Sequence, residues 1–137
     1  FSNPEAHARL LSYMVDFNSG WAQHAPVVGL ISRRLKSQFQ NTPNSHAEYD
    51  CGAAMAMLAV QATDLGLHLH QMSGFNPVKA DTETKLPEGF SSMTMFALGY
   101  LADDVSFLPE LYRERNEKQR IRVRKDQGQV SSPAEFK

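Results

Sequence analysis

The chain carries 137 residues, enough for one domain built around one hydrophobic core. Its apolar fraction of 42% and net charge of -1 fit an ordinary globular protein and argue against a nucleic-acid binder or a membrane-surface protein. The single cysteine, Cys51, excludes an internal disulfide framework and a cysteine-based zinc site.

The chain opens on Phe1 rather than Met, which reads as a processed product or a fragment. Its first residues show no basic segment leading into an apolar one, so no signal peptide is expected and a cytoplasmic location is. Ser2 or Asn3 followed by Pro4 predicts a helix start, and Leu10, Leu11, Met14 and Val15 recur at helical spacing. Asn18-Ser19-Gly20 reads as the break that ends this helix, and a short segment around Trp21 leads to Pro26. Val27 to Ile31 is a short, β-branched apolar run and predicts a buried strand. Lys36 to Asn44 is polar, carries Pro43 and reads as a loop.

Ser45-His46-Ala47-Glu48 matches a capping box and opens the strongest helical pattern, which runs to Leu65 with Gly66 as its left-handed end. Cys51 to Val60 is the most apolar run, about half of the ~20 residues a membrane span needs. This helix is apolar nearly all round and is expected to be buried on most faces. So small a domain would struggle to surround it alone, which predicts a subunit partner. Leu67 to His70 alternates as a strand does, Gln71 to Pro77 reads as a turn into a new helix, and Ser92 to Tyr100 predicts a third strand. Pro109 to Arg120 predicts a charged helix, and from Glu110 to Lys125 seven Arg and Lys stand against three Glu. Gln127 to Lys137 is a polar tail. This order predicts an α+β or α/β sheet domain.

Three segments, in order, resemble the nitroreductase family. Trp21-Ala22-Gln23-His24-Ala25-Pro26 before a strand is similar to the family's W-x-x-x-A-P. Asp50-Cys51-Gly52-Ala53-Ala54, Gln61 to Leu67 and His70-Gln71-Met72-Ser73-Gly74-Phe75 resemble D-x-G-A-A, Q-A-x-x-L-G-L and H-Q-M-x-G-F. Pro87-Glu88-Gly89 and Ala97-Leu98-Gly99-Tyr100 resemble I-P-E-G and A-x-G-Y. The resemblance runs from about Trp21 to Tyr112. It implies an α+β fold, an antiparallel or mixed sheet flanked by helices. Residues 1–137 would then be the C-terminal two-thirds of one nitroreductase-like domain. The family's R-x-S-x-R and S-x-x-N-x-Q-P-W motifs would precede Phe1. Its R-K-P-L pattern is altered, since Arg124-Lys125 is followed by Asp126.

The resemblance further implies an FMN-dependent oxidoreductase that draws electrons from NAD(P)H. It would be a homodimer acting by ping-pong hydride transfer on a small-molecule acceptor such as a nitroaromatic or a quinone. The flavin would carry the hydride, so no catalytic side chain is expected. The main chain of Ser73 and Gly74 would face the flavin near N5, with Gln71 and Met72 beside it. Gly74 would permit close approach or a positive φ. The turn by itself equally fits an ordinary strand-to-helix connection. Arg122 and Arg124 would complete a phosphate site, guanidinium groups suiting bidentate contact, although a basic run is more commonly a solvated face. His68 and His70 share a strand face, but no third metal ligand stands at a matching spacing. Cys51 reads as a small core residue. Two other readings stay open: a non-catalytic dimeric module, and a related fold with other flavin chemistry.

Overall fold

The computed structural model describes residues 3–39 and 41–120. These fall into two compact units divided between Ala102 and Asp103. The first holds α1 (Pro4–Leu11), α2 (Asp16–Ala22), β1 (Val27–Arg34), α3 (Ala47–Asp64), β2 (His68–Met72), α4 (Pro77–Glu83) and β3 (Phe90–Gly99). The second holds α5 (Glu110–Arg120), at the predicted charged helix.

The strands form one sheet in the order β1-β3-β2, and both pairs are antiparallel. The fold is therefore α+β. The outer strands run parallel to each other with β3 between them, and α3 makes the crossover that such an arrangement requires. One sheet face buries Val28, Met72, Met95 and Ala97 against Tyr13, Met14, Ala22 and Ala80 from the segments around α1, α2 and α4. None of the buried residues of α3 belongs to that cluster. By strand alternation α3 packs on the other face, where the Phe96 ring lies over its cross-strand partner Gly29.

Two Asn-Pro pairs start helices in the same way. Asn3 accepts from the Ala6 N–H at 3.0 Å, and Asn76 from the Lys79 N–H at 3.0 Å, with proline next in both cases. Gly66 has φ +72, and the N–H groups of Gly66 and Leu67 return to the carbonyls of Thr63 and Ala62. That paired pattern closes α3 with the expected left-handed end.

Four local expectations are corrected. The first helix ends at Leu11, and Asn18-Ser19-Gly20 lies inside a second helix. The break falls at residues 12–15, where Tyr13 and Met14 turn into the core and Met14 bridges to Phe75. Those tertiary hydrogen bonds replace the ones a continuous helix would make. The capping box does not form: the N-cap is His46, whose side chain makes no capping bond to the helix. Ser45 bonds the His46 ring, and Glu48 pairs with Arg33 of β1, a charge partner that competes with the helix end. Gln71 and Met72 belong to β2 rather than to a turn, because their ladder to Phe96 and Met95 continues. Finally, within this chain α3 buries Ala47, Met55 and Ala62 and exposes Tyr49, Met57 and Val60. One layer of sheet can cover only one side of a helix that is apolar all round.

β3 carries one residue more than β1 requires: Ile31 pairs with Thr94 and Ser32 with Ser92, leaving Met93 unmatched. The Ser92 N–H donates instead to the Asp81 carboxylate at 2.7 Å, tying α4 to the central strand.

Candidate functional site

The residues of interest lie where β2 ends and α4 begins. Met72, at 4% exposure, points into the core opposite Met95, so its side chain is committed to packing. Gln71 is exposed opposite Phe96, on the other face. The chain then bends tightly, the Phe75 N–H donating to the Ser73 carbonyl at 3.0 Å around Gly74. The Gly74 carbonyl accepts twice, from the Val15 N–H at 3.0 Å and from Asn18 Nδ2 at 3.0 Å. The Met72 carbonyl accepts from Thr94 Oγ1 at 2.9 Å.

Three consecutive carbonyls, those of Met72, Ser73 and Gly74, are thus all occupied. The N–H groups of Ser73 and Gly74 have no hydrogen-bond partner among the described residues. Each main-chain carbonyl of the turn is engaged, while its two N–H groups are open, so the main chain presents donors. Such a surface suits an electron-rich ring atom or oxyanion and disfavours a second donor.

Of the two expected reasons for a glycine at 74, positive φ does not hold, and a close approach within the chain itself does. Among the described residues the glycines with positive φ are Gly66 and Gly89, and Gly74 is not one of them. A Cβ at Gly74 would sit 2.6 Å from Asn18 Nδ2 and 3.1 Å from Val15 Cγ2. The close approach that requires glycine is made by the chain's own residues at the start of α2. Sequence reasoning missed both, because Asn18 looked like a helix breaker. An asparagine within a helix that gains little from its helix propensity is the signal that could have marked it.

The motif residues around the turn hold it by packing. Trp21 meets His70 edge-on, with ring centroids 5.0 Å apart. Pro26 lies against Gly99, where a Cβ would come within 2.6 Å of the proline Cδ. The tryptophan-to-proline segment and the segment ending in Gly99 are thus one contact. His7 Nε2 bonds the Ala25 carbonyl at 3.0 Å and fixes the entry to β1. Cys51 is partly buried, its thiol 3.9 Å from the Ser32 carbonyl. Among the described residues, no group of three or more His, Cys, Asp or Glu is placed to hold a metal ion. Arg122 and Arg124 lie outside the described residues.

Tyr13 adjoins the turn through its carbonyl, which accepts from the Asn76 N–H at 2.7 Å. Burial raises its phenol above the ordinary value, Glu83 raises it further, and Arg9 opposes them.

The nitroreductase family model matches residues 1–100, nearly three-quarters of the chain. The chain belongs to the nitroreductase family. A solved oxidoreductase containing FMN is 28% identical, with a TM-score of 0.82, over 98% of this chain and 68% of that one. A nitroreductase family protein from Clostridium difficile 630 shares the fold at 20% identity and a TM-score of 0.64, over 97% of this chain and 70% of that one. An enone reductase of gut-bacterial fatty acid saturation shares it at 14% identity and a TM-score of 0.71, over 97% and 73%. An uncharacterized 15.4 kDa protein of Mycolicibacterium smegmatis is 34% identical over 82 residues, 60% of this chain. The chain spans about half the length of that curated relative, 54%. Among the described residues, no helix is long and apolar enough to cross a membrane.

Proposed function

We propose that this nitroreductase-family chain is part of an FMN-dependent oxidoreductase. In this reading NAD(P)H is the electron donor and a nitroaromatic, quinone or related small molecule is the acceptor, in alternating half-reactions. The observation that carries the reading is the donor-only turn. The unpartnered N–H groups of Ser73 and Gly74 fit the acceptor edge of an oxidised flavin, and a turn with free carbonyls would not. Hydride transfer is the chemistry that FMN supplies when bound. The chain's own contribution is binding and orientation. Ser73 and Gly74 offer main-chain donors, Gln71 is the exposed side chain beside them, and Met72 anchors the end of β2 through the core. Because the turn's carbonyls are already held, the donors need no rearrangement when charge builds on the ring. Arg122 and Arg124 are proposed for the phosphate, where guanidinium groups give bidentate contacts. The unit is proposed to be a cytoplasmic homodimer and a single nitroreductase-like domain.

The test uses the full-length gene product that carries this chain. The purified protein is expected to show flavin absorbance and to release FMN on denaturation. The bound flavin is expected to bleach with NADH or NADPH and to recover with a quinone. A folded protein that takes up no FMN from excess cofactor would sink the reading.

A further inference from the structure

We infer that Asn18 is the positioning residue for the donor-only turn. The inference rests on the flavin reading above and adds a residue to it. Asn18 lies in the first turn of α2, 56 residues before Gly74 in sequence, and its amide donates to the Gly74 carbonyl at 3.0 Å. The Val15 N–H shares that carbonyl at 3.0 Å. The Asn18 amide also fills the space a Gly74 side chain would take, with Nδ2 2.6 Å from the Cβ position. One side chain therefore sets both the direction of the Gly74 carbonyl and the depth at which the turn sits against α2.

The consequence reaches the donors through covalent geometry. Peptide units are planar, so the held Gly74 carbonyl fixes the Phe75 N–H, whose bond to the Ser73 carbonyl in turn fixes the coplanar Gly74 N–H. The Gly74 N–H is thereby set before any ligand arrives, and the Ser73 N–H is set by the coplanar Met72 carbonyl that Thr94 holds. Val15 holds the carbonyl with a backbone donor that no change of side chain short of proline removes. Asn18 is the adjustable partner.

Replacing the amide by a carboxylate keeps the shape and reverses the interaction. Asn18→Asp sets an acceptor against the Gly74 carbonyl, which must turn away, carrying the Phe75 N–H of the same peptide unit and, through its bond to the Ser73 carbonyl, the Gly74 N–H. Asn18→Ala removes the donor and leaves Val15 in place. In the full-length protein, Asn18→Asp is expected to weaken FMN binding about tenfold, the loss of one hydrogen bond. It is also expected to shift the absorption maximum and midpoint potential of the flavin that remains bound, which general loss of stability would not do. Asn18→Ala is expected to move the same readouts in the same direction by less. Asn18→Ala also serves if Asn18→Asp fails to fold. Wild-type affinity, spectrum and potential in a folded Asn18 variant would overturn the positioning role and leave the flavin reading standing. A wild-type protein without FMN would overturn both.

Discussion

Tyr13 is 1% exposed, yet its hydroxyl has no hydrogen-bond partner among the described residues. A buried, unsatisfied hydroxyl costs about 1–3 kcal/mol, while the ring repays its place by filling the core. Tyr13→Phe is therefore expected to leave stability unchanged or raise it by about 1 kcal/mol. The pH dependence follows from burial. Burial holds the phenolic pKa of the folded chain above its ordinary value, so the folded chain binds that proton more tightly than the unfolded chain does. Stability from this source is intact below pH 10 and is lost as pH rises through the folded-state pKa. Urea melts of wild type and Tyr13→Phe at about pH 7 and about pH 11 check both points, the variant losing less at the higher pH. A Tyr13→Phe protein destabilised by several kcal/mol would mean that the hydroxyl has a partner after all. Gly74 belongs at the same scale. Its missing side chain makes room for Asn18 and Val15, so Gly74→Val must disturb the packing of α2 on the turn as well as any ligand contact.

Among the elements, helix ends were legible where one residue both started the pattern and made the bond. Asn3-Pro4 and Asn76-Pro77 cap as their sequences suggest, and Gly66 closes α3. Gly66→Ala is expected to cost about 1–2 kcal/mol, because a Cβ is penalised in the left-handed region although the space around it is open. Gly29→Ala should cost a similar amount for the opposite reason: its backbone is ordinary, but the Phe96 ring occupies the position of the Cβ. Chemical denaturation separates the two mechanisms in the background of Phe96→Leu. The smaller side chain should relieve most of the Gly29→Ala cost and none of the Gly66→Ala cost. The capping box failed where a long-range partner intervened, since Glu48 meets Arg33 from a different element.

For the whole molecule, the unanswered surface is α3. Its eighteen residues expose Tyr49, Met57 and Val60 in this chain, side chains that ordinarily seek cover. A second copy is the proposed cover, and a stable association of this kind buries about 1,600 Å² in total. The full-length protein is expected to sediment as a dimer at micromolar concentration, and Met57→Glu with Val60→Glu to shift it toward monomer. A stable, folded wild-type monomer at that concentration would remove the proposal.

What the sequence determined by itself was local or cumulative. The run of strands and helices apart from α2, the helix start at Pro4 and the Gly66 end each depend on neighbouring residues or on periodicity, which left α+β and α/β both open until the family resemblance favoured α+β. The family was legible for a related reason. Its motif residues stand in order along the chain, and in the fold Trp21 meets His70 and Pro26 meets Gly99. Tertiary structure alone decided what those residues touch. Met72 went to the core because alternation places it opposite Met95, and Glu48 left its helix end for Arg33. Asn18 left its apparent role as a breaker to hold Gly74, 56 residues away. The reason is physical. A hydrogen bond between distant residues depends on how the intervening elements pack, and no local window of sequence contains that distance.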